Sequence, residues 1–532
     1  MKISEEWTMR RMLDGSRALV ALVCLCLLVL PGIASASPAG TTERQAQEQL
    51  REVESLESTR TEVADPTVAL RDLALALPKL DGADSRRARS ILARPPDGSA
   101  PFGGRWPANA TEEIVETPSF VVHYANVPDC DVSPPNPDDD CDEPDLTDDN
   151  SNGIPDYVDA TVDAVNESIA VENGELGWPL PKGDGDEGEP SGGSEEDRID
   201  IYLSDLCDER DFRPCVFGYA SPDDNSSSCR NAPYLCSAHL VLDNDYSEFG
   251  ASGGELGLRV TTAHEYNHVL QFNLDANQDD WMFESTATWS EEQVFPDDDD
   301  WVRSYMDDWA QESETPITKP VFRFYGSAVW NHWLENGDNS FGPDVILNAW
   351  ESSREVTPKD YAVGAYDDAI KDEGGAGFPQ EFAAFTAATA EWNTGEGNLP
   401  DTAELPNVAR AGKLSLGDKS TEKVLHNTSY ALFRVNARNA DSIRLSGRSS
   451  GSVQWSIALV GRVGGRFQGS VDRPIAYSDA DNVQNVRLPD ARLYDRITAV
   501  VTNADGRVSG TKPTFGNFNY TRNAQEFRLK VR

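Results

Sequence analysis

Basic residues are scarce in this chain. Across 532 residues, 46 Lys and Arg face 91 Asp and Glu, for a formal charge of −45. Phosphate recognition needs clustered Lys and Arg, so nucleic acid is excluded as a main partner. An anionic membrane surface is disfavoured for the same reason. Histidine is sparse too, with 6 residues in all, so a pair at metal-binding spacing stands out. No apolar run after the first 36 residues is long enough to span a membrane. No Cys-x-x-Cys pair occurs, which argues against a cysteine-held zinc. No internal repeat is present. What is present is apolar bulk: 39% hydrophobic residues, with 12 Trp, 15 Tyr and 19 Phe. That is enough for real cores and argues against a wholly disordered acidic chain. The length suggests about three to four domains.

The first 36 residues read as a secretory signal. Arg10, Arg11 and Arg17 form a basic start, Ala18 to Leu30 an apolar run, and Ala34-Ser35-Ala36 a small-residue cleavage site. The expectation is a secreted, extracellular protein with no membrane association after signal removal. Cys24 and Cys26 leave with the signal. Cys130, Cys141, Cys207, Cys215, Cys229 and Cys236 remain. An even number in an exported chain predicts disulfides. Short gaps favour Cys130–Cys141, Cys207–Cys215 and Cys229–Cys236. The signal carries Lys2, Arg10, Arg11 and Arg17 against Glu5, Glu6 and Asp14, so its removal leaves the acidity intact. That acidity is mainly a solvation property, for solubility or tolerance of salt.

Residues 37–113 are polar and helical in pattern, with candidate helices at Val68–Leu77 and Ser85–Ala93. Pro95-Pro96 and the Gly-rich stretch near Gly103 read as a linker. This region is either a pro-segment or an accessory lead-in. From Ile114 the texture changes. Ser119–Tyr124, Ile199–Leu203 and Ala238–Leu242 read as strands, and Val158, Val162, Val165 and Ile169 follow helical spacing. Lys182–Glu196 is a Gly/Asp/Glu/Ser-rich loop. Leu256–Phe272 reads as a helix, and Ala- and Trp-rich helices follow to about Trp392. The pattern predicts an α+β domain over 114–400. Short strands then recur at Tyr430–Val435, Val453–Val460, Val483–Leu488, Arg496–Thr502 and Phe527–Val531. They predict an all-β sandwich over 401–532.

His264-Glu265-Tyr266-Asn267-His268 is His-Glu-x-x-His. On a helix, residues four apart share a face, so both imidazoles reach one metal ion. Glu265 then stands where it can hold a metal-bound water and take its proton, and zinc lowers the pKa of such a water to about 7. A catalytic zinc needs a third protein ligand. Position 274 is Leu, so no third histidine follows at the extended spacing. Glu284 is the best candidate, on a second helical pattern after a polar turn. Asp275, Asp279 and Asp280 are weaker rivals. Glu291 falls on nearly the same face as Glu284 and could accept a hydrogen bond from a ligand histidine. Tyr325 or His332, in Phe324–His332, could donate to the oxygen of a tetrahedral intermediate. His123, His239 and His426 have no motif context and read as structural.

Asp148-x-Asn150-x-Asn152-Gly153-Ile154-x-Asp156-x-x-Asp159 resembles a twelve-residue calcium loop. Asp148, Asn150, Asn152, Asp156 and Asp159 offer oxygens, Ile154 a backbone carbonyl, and Gly153 the sharp turn. Asp159 replaces the usual Glu, and the role expected of the loop is structural. The runs Asp138–Asp140 and Asp297–Asp300 lack this alternation and read as solvated loops or helix starts.

These segments together resemble a known family. The run Asp148–Asp159, then Ile199–Leu206, Phe217-Gly218-Tyr219, His264–Phe272, Trp281–Glu292 and Tyr325–Ala328 are similar to secreted bacterial metalloproteases of the zincin superfamily. More narrowly, the arrangement resembles the gluzincin one, His-Glu-x-x-His with a downstream Glu. The similarity extends over about residues 60–530 and is strongest over 114–335. It implies zinc on His264, His268 and Glu284, with Glu265 as general base. It also implies a substrate-aligning strand just before the motif helix, at Ala238–Leu242. The gluzincin extension Asn-Glu-x-x-x-Asp is not matched, since Phe283 precedes Glu284 and Thr288 stands at i+4.

The expectation is therefore a zincin-like domain of mixed sheet and active-site helices, followed by a β-sandwich. Its activity would be that of a zinc endopeptidase with a structural calcium, acting on protein or peptide substrates. Two alternatives stand beside it: a non-catalytic, calcium-stabilised binding or surface protein, and a zinc hydrolase of a non-peptide amide or ester. Nothing in the sequence specifies an oligomeric state.

Overall fold

The computed structural model describes residues 43–58, 65–97, 101–127, 143–183, 198–207, 215–223, 229, 234–319, 322–354, 361–390, 392, 399–401, 403–417, 419–437, 440–462, 475–478, 482–507 and 524–532. The expected signal peptide and the expected Cys130–Cys141 pair lie outside these residues. Three N-terminal helices come first: α1 (Glu43–Ser58), α2 (Thr67–Ala76) and α3 (Gly82–Ile91). A five-stranded sheet follows, built from β1 (Thr111–Glu116), β2 (Phe120–Asn126), β3 (Ile199–Ser204), β4 (Gly218–Pro222) and β5 (Ala238–Asp243). Helix α4 (Asp156–Ser168) lies between β2 and β3 in sequence and runs on into a π-helical stretch, Ile169–Glu175.

The sheet order is β1-β2-β3-β5-β4. β2, β3 and β5 are parallel, whereas β1 and β4 pair antiparallel to their neighbours. Period-2 alternation in the strands makes two apolar faces. Phe120, Val122, Tyr124, Ile199, Ile201, Leu203, Leu240 and Leu242 face the main core. Ala125, Tyr202, Tyr219 and Val241 face the opposite side, where they meet Leu50, Val53, Leu70, Leu73, Leu77 and Ile91. The polar N-terminal region thus supplies the cover for one whole face of the sheet.

The main core lies against α5 (Gly254–Asp275), which is buried nearly all round, as a helix packed on every side must be. It approaches β4 closely enough that a Cβ on Gly218 would lie 2.7 Å from Thr261 Cγ2. A four-residue turn joins α5 to α6 (Asp280–Val294), so the two helices pack side by side as a hairpin. Then come α7 (Asp300–Gln311), a single turn at Arg323–Gly326, α8 (Ala328–Asn336), α9 (Asp344–Ser353), α10 (Val363–Asp372) and α11 (Phe378–Ala388). Trp281, Trp289, Trp309, Trp330 and Trp350 fill the space between these helices and are all fully buried.

After α11 the chain turns to strands: β6 (Gly412–Ser415), β7 (Thr421–Leu425), β8 (Ser429–Asn436), β9 (Ser442–Ser449), β10 (Trp455–Arg462), β11 (Ile475–Ser478), β12 (Val483–Pro489), β13 (Arg496–Asn503) and β14 (Gln525–Val531). They form one sheet ordered β11-β10-β13-β8-β6 and another ordered β12-β9-β14-β7. Phe433, Trp455, Ile457 and Leu459 of the first share a core with Ile443, Leu445, Phe527 and Leu529 of the second. The outer face of the first sheet, through Leu432, Ala458, Val460 and Val500, joins the main core beside Phe378, Phe382 and Phe385 of α11.

The chain is therefore mixed α and β, with a C-terminal β region. The five strands expected there are present, and β6, β7, β9 and β11 were missed. β9 reads Ser-Ile-Arg-Leu-Ser-Gly-Arg-Ser and the other three are only four or five residues long. Such segments carry little apolar signal. β1 and β4 escaped for the same reason. Among the described residues no helix is long and apolar enough to cross a membrane. The cysteine pairs Cys207–Cys215 and Cys229–Cys236 are both disulfide-bonded, as the short gaps predict.

Leu73 of α2 is fully buried against the sheet. Leu73→Ala should therefore destabilise the protein by about 2–5 kcal/mol, read from denaturant unfolding. A change below about 0.5 kcal/mol would mean that the N-terminal helices are not part of the cooperative fold.

Candidate metal centre

The His-Glu-x-x-His segment lies in the middle of α5, and Glu284 is in the second turn of α6. The short turn between the helices folds α6 back alongside α5, which points Glu284 at both histidines. Glu284 Oε2 lies 3.3 Å from His264 Nε2 and 3.7 Å from His268 Nε2. Tetrahedral ligands each about 2.0–2.2 Å from a zinc ion stand about 3.3–3.6 Å from one another. A fourth group completes the set. Asp65 Oδ2 lies 3.0 Å from His268 Nε2 and 3.5 Å from His264 Nε2. One ligand atom from each of the four residues falls within 4.8 Å of all the others.

The remaining ring nitrogens are braced. His264 Nδ1 bonds Glu291 Oε1 at 2.6 Å, and His268 Nδ1 bonds Gln271 Oε1 at 2.9 Å. Gln271 Nε2 in turn donates to Asn267 Oδ1 and the Phe283 carbonyl, and Asn267 Nδ2 donates to Glu172 Oε2 at 2.6 Å. Glu172 comes from the π-helical stretch after α4. It is fully buried, and burial pushes its carboxyl up to about 8.

The electrostatics ask for a cation. Glu284 is fully buried, and its Oε1 has no hydrogen-bond partner. Burial opposes protonation of His268, yet the hydrogen bonds and charges of Asp65 and Glu284 push it up to about 10. His264 is raised as well, by Asp65, Glu284 and Glu291 against the same burial penalty. Burial and the nearby Asp65 and Glu284 charges push Glu265 up to about 8, partly offset by the histidines. Two imidazoles, two carboxylates aimed at a common point and an orphaned buried oxygen fit a divalent transition metal.

Tyr325 also belongs here. Its ring centre is 6.0 Å from that of His264, and its hydroxyl oxygen accepts the Asp65 N–H at 3.0 Å. His332 does not. It is fully buried, with its ring centre 4.5 Å from that of Trp301 in a tilted contact and Glu335 nearby. It can neither reach a substrate nor lie at the surface. The rivals of Glu284 are used elsewhere. Asp280 binds Arg71 at 2.7 Å, Asp275 accepts the Asn277 N–H, and neither they nor Asp279 joins the metal-ligand group. His123 is held between Glu112 and Asp200, and His239 bonds Asp223.

The strand expected to align substrate needs correcting. Ala238–Asp243 is paired on both sides, with β3 and with β4, so it has no free edge to offer. The edge strand next to α5 is β4, Gly218–Pro222. Asp65, Gln271 and Glu172 were all missed by the sequence reading. Asp65 belongs to a polar stretch about 200 residues before the motif. Gln271 had a signal, since it is three residues after His268 and one helical turn along.

The Asp148–Asp159 stretch is exposed over 149–153, and its last four residues form the start of α4. Asp148 accepts the Asn152 and Gly153 N–H groups, and Asn152 Oδ1 accepts that of Ile154. The amides of Asn150 and Asn152 both converge on Asp159 Oδ2, at 2.9 and 2.7 Å. Asp156 instead accepts the Asp149 N–H. Gly153 has φ +90° with open space around it, so glycine is needed there for its backbone and not for room. Tyr157 of α4 donates to the Asp243 carbonyl at 2.8 Å and ties the loop to the end of β5. A second carboxylate group, Glu292, Asp299 and Asp401, gathers at the far end of α6.

The chain matches no protein-family model and no curated protein. Among solved structures, the pre-peptidase C-terminal domain of collagenase from Bacillus anthracis is a neighbour at 12% identity. The match covers 24% of this chain and 100% of that one, with a TM-score of 0.16. A likeness that slight carries no argument about fold or activity.

Glu291→Ala should weaken retention of a divalent metal by about 10–100-fold, the usual effect of losing a brace behind a ligand histidine. Competition with a chromophoric chelator measures it, and unchanged affinity would remove Glu291 from the site.

Proposed function

We propose that the protein is a secreted zinc-dependent endopeptidase with a zincin-like catalytic region. The supporting observation is the convergence of His264 Nε2, His268 Nε2 and Glu284 Oε2: the carboxylate oxygen stands 3.3 and 3.7 Å from the two nitrogens, close to the edge length of a tetrahedral zinc site. When bound, zinc supplies a water ionised near neutral pH and polarises the scissile carbonyl. His264, His268 and Glu284 would hold it. Glu291 and Gln271 fix the two rings, so that each presents Nε2 to the ion and Nδ1–H to its brace. Glu265 is the general base. It takes the proton of the attacking water and returns it to the departing amine, and its buried position keeps bulk water from competing. The Tyr325 hydroxyl is a hydrogen-bond donor for the oxyanion. An extended peptide would pair along β4, the edge strand that runs beside α5.

Calcium in the Asp148–Asp159 loop is part of the same reading. Asn150 and Asn152 turn amide nitrogens toward Asp159. Rotating either amide brings an oxygen there instead, and a cation then neutralises the cluster. The role is structural, because the loop starts α4 and α4 packs on α5. The disulfides Cys207–Cys215 and Cys229–Cys236 and the long acidic surface suit an extracellular setting.

Glu265→Gln should lower peptidase activity by about 10²–10⁴-fold while keeping one equivalent of zinc by atomic absorption. Full activity in that variant would sink the mechanism. Added calcium should raise the melting temperature, and Asp159→Ala should remove the increase. If calcium leaves the wild-type melting temperature unchanged, the loop is not a calcium site.

A further inference from the structure

We propose that Asp65 is a fourth ligand of the metal centre, and that Asp65–Ala76 fills the substrate side of the site, so that this form of the chain is latent. The inference rests on the zinc peptidase reading given above. Its physical basis is that one short stretch of chain engages every part of the machinery at once. Asp65 Oδ2 takes the remaining tetrahedral corner, 3.0 and 3.5 Å from the two ligand imidazole nitrogens. Hydrolysis needs that corner for water. Two residues on, Thr67 Oγ1 donates to Glu265 Oε2 at 3.1 Å and so engages the base. The same oxygen accepts the Ala220 N–H at 2.8 Å, capping the middle of the edge strand along which a peptide would pair. The backbone N–H of Asp65 uses the Tyr325 hydroxyl. Thr67 is fully buried, as is the Glu265 carboxyl it touches.

The segment is anchored beyond the site. Arg71 is buried, with its guanidinium 2.7 Å from both Asp72 and Asp280 and 3.1 Å from the Gln278 carbonyl, over the ring of Phe283. Of those partners, Gln278 lies just before α6, and Asp280 and Phe283 lie in its first turn, on the helix that carries Glu284. Leu70 and Leu73 are buried against the outer face of the sheet. The blocking carboxylate is thus delivered by a covalently attached, well-packed helix at high effective concentration, on the order of mM or more. A free peptide must compete with it. Opening the site requires the displacement only of Asp65, Pro66 and the first residue of α2, which uncovers the metal corner, the base and Ala220 together.

The test uses the full chain loaded with cobalt(II), whose visible absorption reports coordination. Asp65→Ala should change the cobalt spectrum from that of a closed four-ligand site to that of an open one. It should bind acetohydroxamate at least 10-fold more tightly than wild type, and cleave casein at least 10-fold faster. Asp65→Asn keeps the size of the side chain and the backbone contact to Tyr325, and should move all three readouts the same way. It serves if the alanine variant folds poorly. Thr67→Val, which keeps Asp65 on the metal corner, should leave the cobalt spectrum unchanged. If both Asp65 variants bind cobalt with the wild-type spectrum and the wild-type hydroxamate affinity, Asp65 is no ligand and the proposal fails. If His264→Ala does not abolish cobalt binding, the metal centre itself is misassigned and the peptidase reading falls first.

Discussion

Carboxylates buried beside two imidazoles set the terms for the rest of this molecule. Asp65, Glu265, Glu284 and Glu291 all lie within a few ångströms of His264 or His268. Negative groups cannot share a dry space without compensation. The histidines attract protons there, and the same donor set could hold a cation. Much of the surrounding architecture holds these groups in place. The α5–α6 hairpin delivers Glu284 and Glu291 seven residues apart, one to Nε2 of His264 and the other to its Nδ1. The Gln271–Asn267–Glu172 chain does the same for His268 from behind.

The packing explains why these positions can be exact. Five fully buried tryptophans fill the helical layer, and α5 has a sheet on one side and helices on the others. A helix so enclosed has little freedom to rotate its histidines out of register. The sheet is held from its other face by α1, α2 and α3. The N-terminal region therefore stabilises the scaffold and also reaches the site. The outer face of the sheet β11-β10-β13-β8-β6 packs on α11, so the C-terminal β region is coupled to the helical core by apolar burial.

The acidity of the chain separates into two parts. Among the described residues most acidic groups reach solvent and affect solubility, whereas a few are buried at specific partners. Arg71 with Asp72 and Asp280, and Arg94 with Asp200 and Asp223, are buried clusters of one cation with two anions. With so few basic residues available, each of these two arginines serves two carboxylates. Both arginines lie in the N-terminal region and both bind residues of later elements.

The sequence by itself determined what is local. The His-x-x-x-His spacing on a helix, the glycine-centred acidic loop, the short disulfide gaps and the longer alternating strands are all set within a dozen residues, where helical or extended periodicity decides which side chains meet. Glu284 was also legible, because a short polar turn between two helical patterns leaves few ways to fold back. Only the tertiary structure decided what depends on distant chain. It put β5 inside the sheet and β4 at its edge, buried His332 against Trp301, and braced His268 through Glu172, 96 positions before it. It also brought Asp65 to within 3.0 Å of His268 across 203 positions of sequence. No periodicity encodes such a meeting. It follows from which apolar faces bury one another, and the polar contacts are carried along with them.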